Sequence, residues 1–368
     1  MPQDLDLDDM ILNFEPGGAQ ERFRAAGLEA AFLTAEAALP ASLPWPANAA
    51  PTPTSLTPPP RESDDLQRFH GYDAVVVTWT AAEAAALATL FTPGHPLATW
   101  YEYRHGVDAY IPLVTGSRAP FNDTRTEMAR YYHSLGLYFP CRIGTARVLL
   151  FKSGLHLDYD GPATPVQKLL SELATTIAPK VFITTGTGGA IGADVKLGDV
   201  VIAGLARFDC TTQFRAKPWH DARYATSALP SGALAAITPS LTRVNAARIT
   251  GARPVPTMWS ARTDAIVTTD FFAFDDSSNH DKLQGLGRAC DMGDAMVGNV
   301  MQSFSHISWY AIRNASDPQI PNPSGNFEQA GKEAGHIYSK FGGLTTAASA
   351  IATWAVIHSA FSPASMRP

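Results

Sequence analysis

The sequence predicts one mixed α/β domain running from about residue 66 to the end of the chain, and three observations carry that reading. Apolar runs of strand length recur, among them Asp73 to Thr78, Arg147 to Lys152, Lys180 to Thr185 and Ile307 to Ile312. Stretches with helical length and period lie between several of them, so strands and helices alternate. The last of these runs stops abruptly at Ser316-Asp317. A buried strand that delivers a carboxylate at its carboxyl end is a common way for an α/β protein to place an acid in a ligand crevice. A cap for the next segment is the other reading of that Ser-Asp pair.

In chain order, residues 19–39 read as an amphipathic helix with Phe23, Leu28, Phe32 and Leu33 among its apolar positions. Eight prolines then fall between Pro40 and Pro60, a composition that disfavours helix and sheet and points to an extended linker. Residues 1–65 are therefore expected to be a helical appendage with a Pro-rich linker that packs on the core or on another subunit and is dispensable for chemistry. The domain proper, 66–368, opens with the strand at Asp73 to Thr78. Thr80-Ala81-Ala82-Glu83 follows with the spacing of a helix-capping box. The region from about 92 to 143, rich in aromatic residues such as Trp100, Tyr101 and Tyr131, is longer than a connection needs and reads as an insertion, either a lid or a structural hairpin. The strand Arg147 to Lys152 ends in Ser153-Gly154, a helix spans Pro165 to Ile177, and the strand Lys180 to Thr185 runs into Gly186-Thr187-Gly188-Gly189. A strand at Gly198 to Ala203 and helices from Asn326 to Ala360 complete the pattern.

Composition limits the function. With 368 residues, 45% of them hydrophobic, the chain can bury a substantial core. A net charge of -6 without a Lys/Arg block argues against nucleic acid as a partner. The runs noted above are strand-sized, so no membrane span is expected, and the acidic N-terminus does not resemble a secretory signal; a cytoplasmic location is the default. Cys141, Cys210 and Cys290 are too few and too widely spaced for a disulfide framework or a zinc cluster, and read as core residues. No cofactor is indicated, and the expected partner is a small molecule.

Five elements, taken in order, carry a resemblance: Lys152-Ser153-Gly154-Leu155, Thr184-Thr185-Gly186-Thr187-Gly188-Gly189-Ala190, Leu197-Gly198-Asp199-Val200-Val201, Asp291-Met292 and Arg313-Asn314-Ala315-Ser316-Asp317. Together they resemble the nucleoside phosphorylase and nucleosidase superfamily, most closely methylthioadenosine/S-adenosylhomocysteine nucleosidases. The resemblance spans roughly residues 72 to 355. It implies a three-layer α/β/α nucleoside phosphorylase-like fold with a mixed, partly barrel-like sheet, a nucleoside as ligand, and a homo-oligomer (dimer, trimer or hexamer) in which a neighbouring subunit often completes the site. It also implies cleavage of an N-glycosidic bond, hydrolytic or phosphorolytic.

Through that resemblance Asp317 is the general acid that protonates the leaving base, with Ser316 orienting it, and Glu83 is the base that activates water. The capping-box spacing leaves Glu83 a second reading as a helix-terminus residue. The family's sugar-binding Met-Glu pair is matched by Met292, but Gly293 stands where the glutamate belongs, so Asp294 or Asp291 is expected to take over or else to cap a helix. Ser153, Gly154 and Gly186 fall in the ligand-facing turns, and Phe208, Phe271 and Phe272 are candidate stacking surfaces for the base, each with an ordinary core role as its competitor. The stretch Thr184 to Asp194 contains no Lys or Arg, so no phosphate cradle is evident and water is the favoured nucleophile. A phosphorylase drawing on Arg104 or Arg207, and a non-catalytic nucleoside-binding protein, are the alternatives.

Overall fold

The computed structural model describes residues 43–46, 48–116, 134–157, 160–245, 253, 255–271, 279–317 and 327–362. The helix expected over residues 19–39 lies outside them, as does Phe272.

The strands form one mixed sheet of thirteen among the described residues. Its centre is β6 (Val181–Ala190), flanked by β2 (Ala74–Thr78) and β13 (Ser308–Asp317), both parallel to it. Beyond β2 lie β5 (Ala146–Ser153), β4 (Gly136–Ile143) and the edge strand β1 (Pro51–Pro53). On the other side come β12 (Ala289–Asp291), β11 (Ala265–Thr269), β8 (Leu205–Asp209) and β9 (Arg223–Ala225). Short strands β3 (Tyr101–Tyr103), β7 (Val200–Ile202) and β10 (Met258–Trp259) pair with β4, β13 and β7 respectively.

Alternation along the central strands separates two cores. In β2, Val76 points into a cluster with helices α1 (Ala81–Phe91), α3 (Ala233–Asn245) and α5 (Phe327–Phe361). Val75 and Val77 point the other way, toward α2 (Pro165–Ile177) and α4 (Asp294–Met301). Both faces of the sheet are thus covered, which is why β2 and the start of β6 read as continuous apolar runs rather than alternating ones. The result is the three-layer α/β/α arrangement.

Part of the Pro-rich segment packs on the domain: Pro51–Pro53 pairs antiparallel with β4, and Leu43 and Ala49 join the core. Proline is tolerated there because β1 is an edge strand. The supposed insertion ends early: Gly136–Ile143 is an integral strand hairpinned to β5. Finally, Phe341–Phe361 is long and apolar enough to cross a membrane, unlike the strand-sized runs noted in the sequence, but 83% of that window is buried within the fold.

Candidate functional site

The site lies where β6 changes partners. Its first half, through Thr184, pairs with β2, whereas Gly189 and Ala190 pair with the antiparallel strand β12. Strands β2 and β12 therefore meet with their carboxyl ends facing each other across Gly186 to Gly188. Each leads directly into a helix, α1 and α4, so two helix N-termini converge on the same stretch of β6. The third side is β13, which stays paired with β6 through Asp317.

Glu83 sits in the first turn of α1 and completes the capping box with Thr80. Its carboxylate does more than cap. Oε2 accepts from Thr78 Oγ1 at 2.6 Å and from the backbone N–H groups of Trp79 and Thr80, each at 3.0 Å. Oε1 accepts from Thr187 N at 2.6 Å and from Thr187 Oγ1 at 2.7 Å. Five donors hold this carboxylate at 1% exposure. It rests directly against the α-carbon of Gly186, where any side chain would collide with it. The Gly-rich segment expected as a turn is consequently a continuous strand whose glycine makes room for a carboxylate.

Arg313, a residue the sequence reading did not single out, binds the site together. From β13 it donates to both oxygens of Asp294, Nε to Oδ2 at 2.9 Å and Nη2 to Oδ1 at 2.6 Å. Nη2 also lies 3.2 Å from Asp291 and Nη1 lies 3.5 Å from Glu83 Oε1, while Nη1 donates to the carbonyl of Thr187 at 3.3 Å. Burial works against its charge, but Asp294 and Asp291 more than offset that and hold the guanidinium firmly protonated. One cation thus serves three buried carboxylates.

Asp291 and Asp294 are both engaged within the protein in this arrangement. Asp294 takes Arg313 on both of its oxygens. Asp291 accepts from Thr268 Oγ1 at 2.6 Å and from the N–H groups of Gly293 and Asp294 at 3.0 and 2.8 Å, which makes it the acid that starts α4. The capping alternative is therefore the role these contacts describe. Burial, followed by the neighbouring Asp294 charge, pushes the Asp291 carboxyl up to about 7 from its ordinary 3.8, against the pull of Arg313.

That shift has a signed consequence. Between about pH 4 and pH 7 the folded state keeps a proton that the unfolded chain releases, so stability falls as pH rises through this window, by up to about 1.4 kcal/mol per unit. Asp291→Asn should flatten this dependence. The check is the change in urea midpoint between about pH 5 and about pH 8, compared between wild type and variant. An equal change in both proteins would mean that Asp291 is ionised throughout.

At the end of β13 the register slips between Ala315 and Asp317, opposite Gly188 and Gly189. Such a bulge re-aims the side chain that follows it. Ser316 Oγ donates to Asp317 Oδ1 at 2.6 Å, and the carboxylate is 4% exposed. Met292 is half-buried between Asp291 and Gly293 at the start of α4.

The remaining candidates are placed as follows. Ser153 turns its hydroxyl onto Leu155, donating to the carbonyl at 2.8 Å and accepting from the N–H at 3.1 Å, and Gly154 packs against the backbone of Ser134 to Gly136. Both lie at the end of β5, one strand beyond β2. Phe208 is fully buried, with its ring 4.5 Å from that of Trp219 and edge-on to Tyr224. It is a core aromatic here, not an open stacking surface. Phe271, at the end of β11, is half-buried and packs beside Ile191, Leu283 and Cys290. The three cysteines are buried thiols, outside any disulfide.

The chain belongs to the phosphorylase superfamily, whose family model matches residues 110–341. No curated protein matches it. Among solved structures it is similar to the 5'-methylthioadenosine/S-adenosylhomocysteine nucleosidase of Neisseria meningitidis in complex with methylthio-immucillin-A, with 16% identity over 78% of this chain and 98% of that one and a TM-score of 0.46. It is also similar to the futalosine hydrolase of Helicobacter pylori, with 13% identity, 78% and 97% coverage and a TM-score of 0.49. The nucleosidase of Colwellia psychrerythraea 34H in complex with adenine gives 13% identity, 79% and 96% coverage and a TM-score of 0.48. Likeness at such identity says nothing of this chain's substrate.

Proposed function

We propose that the protein is a nucleosidase that hydrolyses the N-glycosidic bond of a purine-type nucleoside. The observation that carries this reading is the commitment of Arg313. The guanidinium at the floor of the site is engaged by Asp294, Asp291 and Glu83. With all three acids ionised the group carries a net charge of about −2, and it remains negative after one of them takes up a proton. A phosphate dianion entering such a site would meet repulsion instead of the cationic fork that phosphorolysis needs. Water meets no such penalty. Arg104, an arginine that a phosphorylase reading would draw on, is paired with Glu102 at 2.6 Å and Glu62 at 3.3 Å.

In this proposal the bond breaks through an oxocarbenium-like transition state, and its electron pair leaves with the base. Asp317, protonated and steadied by Ser316, gives its proton to a base nitrogen. On the opposite side a water adds to the anomeric carbon and must lose a proton. Glu83 is the acceptor, but its oxygens are covered by donors, so the transfer runs through Thr187. That hydroxyl takes the proton from water while passing its own to Glu83 Oε1, to which it is already bonded at 2.7 Å. At 8% exposure Thr187 is nearer to solvent than Thr78, the other hydroxyl on this carboxylate, at 0%.

The reaction type is tested by supplying nucleosides in phosphate-free buffer. Base should be released together with free sugar, at a rate that added phosphate does not raise. Strict dependence on phosphate, with a sugar 1-phosphate as product, would sink the hydrolase reading. Binding without release of base in either buffer would favour a nucleoside-binding protein on this scaffold. Thr187→Val should lower turnover by about a hundredfold while leaving substrate affinity nearly unchanged, because it removes the relay while Glu83 keeps its four other donors.

A further inference from the structure

Trp79 follows the last residue of β2 and precedes the capping Thr80, so its indole is carried into the gap between the facing ends of β2 and β12. Two contacts fix the ring. The Arg313 guanidinium lies 5.0 Å from its centroid, a cation–π distance. On the α4 side, a β-carbon placed on Gly293 would fall 2.7 Å from Cζ2 and 3.0 Å from Cε2 of the indole. Position 293 therefore has no room for a side chain, and the indole fills the place one would take. Cη2 is as near as Cε2, at 3.0 Å, so the contact centres on Cζ2 and it is the benzo edge of the indole that meets Gly293.

The indole N–H is the unexplained feature. Trp79 is 5% exposed, and among the described residues its buried Nε1–H has no hydrogen-bond partner. An unsatisfied buried N–H is costly, and folded proteins rarely tolerate one without reason. The nearby acids do not relieve it, since Glu83, Asp291 and Asp294 are taken up by Thr78, Thr187, Thr268, Arg313 and backbone N–H groups.

We propose that Trp79 is the residue that reads the sugar of the bound nucleoside, its Nε1–H donating to a sugar oxygen and its ring edge replacing a side chain at position 293. The proposal rests on the nucleoside reading above, in which Asp317 meets the base and the Glu83 end of the site meets the anomeric carbon, which places Trp79 and Gly293 on the sugar side. Chemical selectivity follows from the type of group. A carboxylate would accept two hydrogen bonds from a vicinal diol and so demand ribose. An indole N–H needs one oxygen lone pair and cannot count hydroxyl groups. The substrate class is thus purine nucleosides with either ribose or 2'-deoxyribose.

The test uses the full chain and purine C-nucleosides, whose carbon–carbon glycosidic bond is not cleaved: 9-deazaadenosine and 9-deazainosine, their 2'-deoxy forms, and the corresponding free bases, titrated by calorimetry. The expected result is that wild type binds ribo and 2'-deoxy forms within about threefold of each other, while Trp79→Phe weakens both by about five- to tenfold and leaves the free base unchanged. A preference of a hundredfold or more for the ribo form would overturn the proposal, because it requires a diol-reading acceptor. Equal losses for nucleoside and free base, or no loss for either, would reduce Trp79 to a packing residue. The wild-type comparison decides the matter even where Trp79→Phe does not fold. Failure of wild type to bind any of these compounds would overturn the nucleoside reading and this assignment with it, whereas sound nucleoside binding that Trp79→Phe leaves untouched would overturn this assignment alone.

Discussion

Arg313→Met should destabilise the fold by about 3–5 kcal/mol at neutral pH, since it leaves three buried carboxylates with no cation among them. Methionine keeps most of the volume of the arginine stem, so a cavity is not the cause. The loss comes from charge. Asp294 loses its two short bonds to the guanidinium, and Asp291 and Glu83 lose the attraction that offsets their mutual repulsion. Buried acids in that position take up protons instead of remaining ionised. The variant should therefore recover part of its stability as pH is lowered toward about 5, a rescue that a simple packing defect would not show. Chemical denaturation at two pH values reads both effects. A loss below about 1 kcal/mol, or one independent of pH, would mean that the carboxylates are paired or protonated without Arg313.

How far this site was legible in the sequence depends on the range of the forces that build it. The strands β2, β5, β6, β7 and β13 and the helix Pro165–Ile177 follow from local periodicity, and the sequence showed them; the other short strands and β4 it did not. The capping box at Thr80 and Glu83 is likewise a local pattern, and it forms. Two features defeated local reading because the deciding contact comes from another part of the chain. The Gly186 to Gly189 run has the composition of a turn, yet it continues as strand because β13 and β12 pair with it and Glu83 needs its missing side chain. Gly293 carries no local mark of the Trp79 ring that excludes every other residue there. One signal was present and not used. An arginine inside the mostly apolar run Ile307 to Ala315 had to be buried with a counter-charge, and acids near the starts of two neighbouring helices were the available partners.

The second large effect concerns Asp317, proposed as the acid that protonates the departing base. Asp317→Asn keeps the size and the polar character of the side chain, and Ser316 Oγ can still donate to its amide oxygen, so the bulged end of β13 should survive and thermal stability should change little. An amide has no proton to give at neutral pH. Without protonation the base must leave as an anion, and turnover should fall by about a hundredfold or more while the affinity for a C-nucleoside changes by less than about tenfold. The pattern of losses matters as much as the size. If Asp317 only held the strand end in shape, stability, affinity and turnover would fall together. If it is the acid, kcat alone carries the loss, and substrates with better leaving groups should lose less than poor ones, since they depend less on protonation. A variant that turns over normally on a poor leaving group would remove Asp317 from the mechanism and leave the ionised cluster around Arg313 as the only chemical centre to explain.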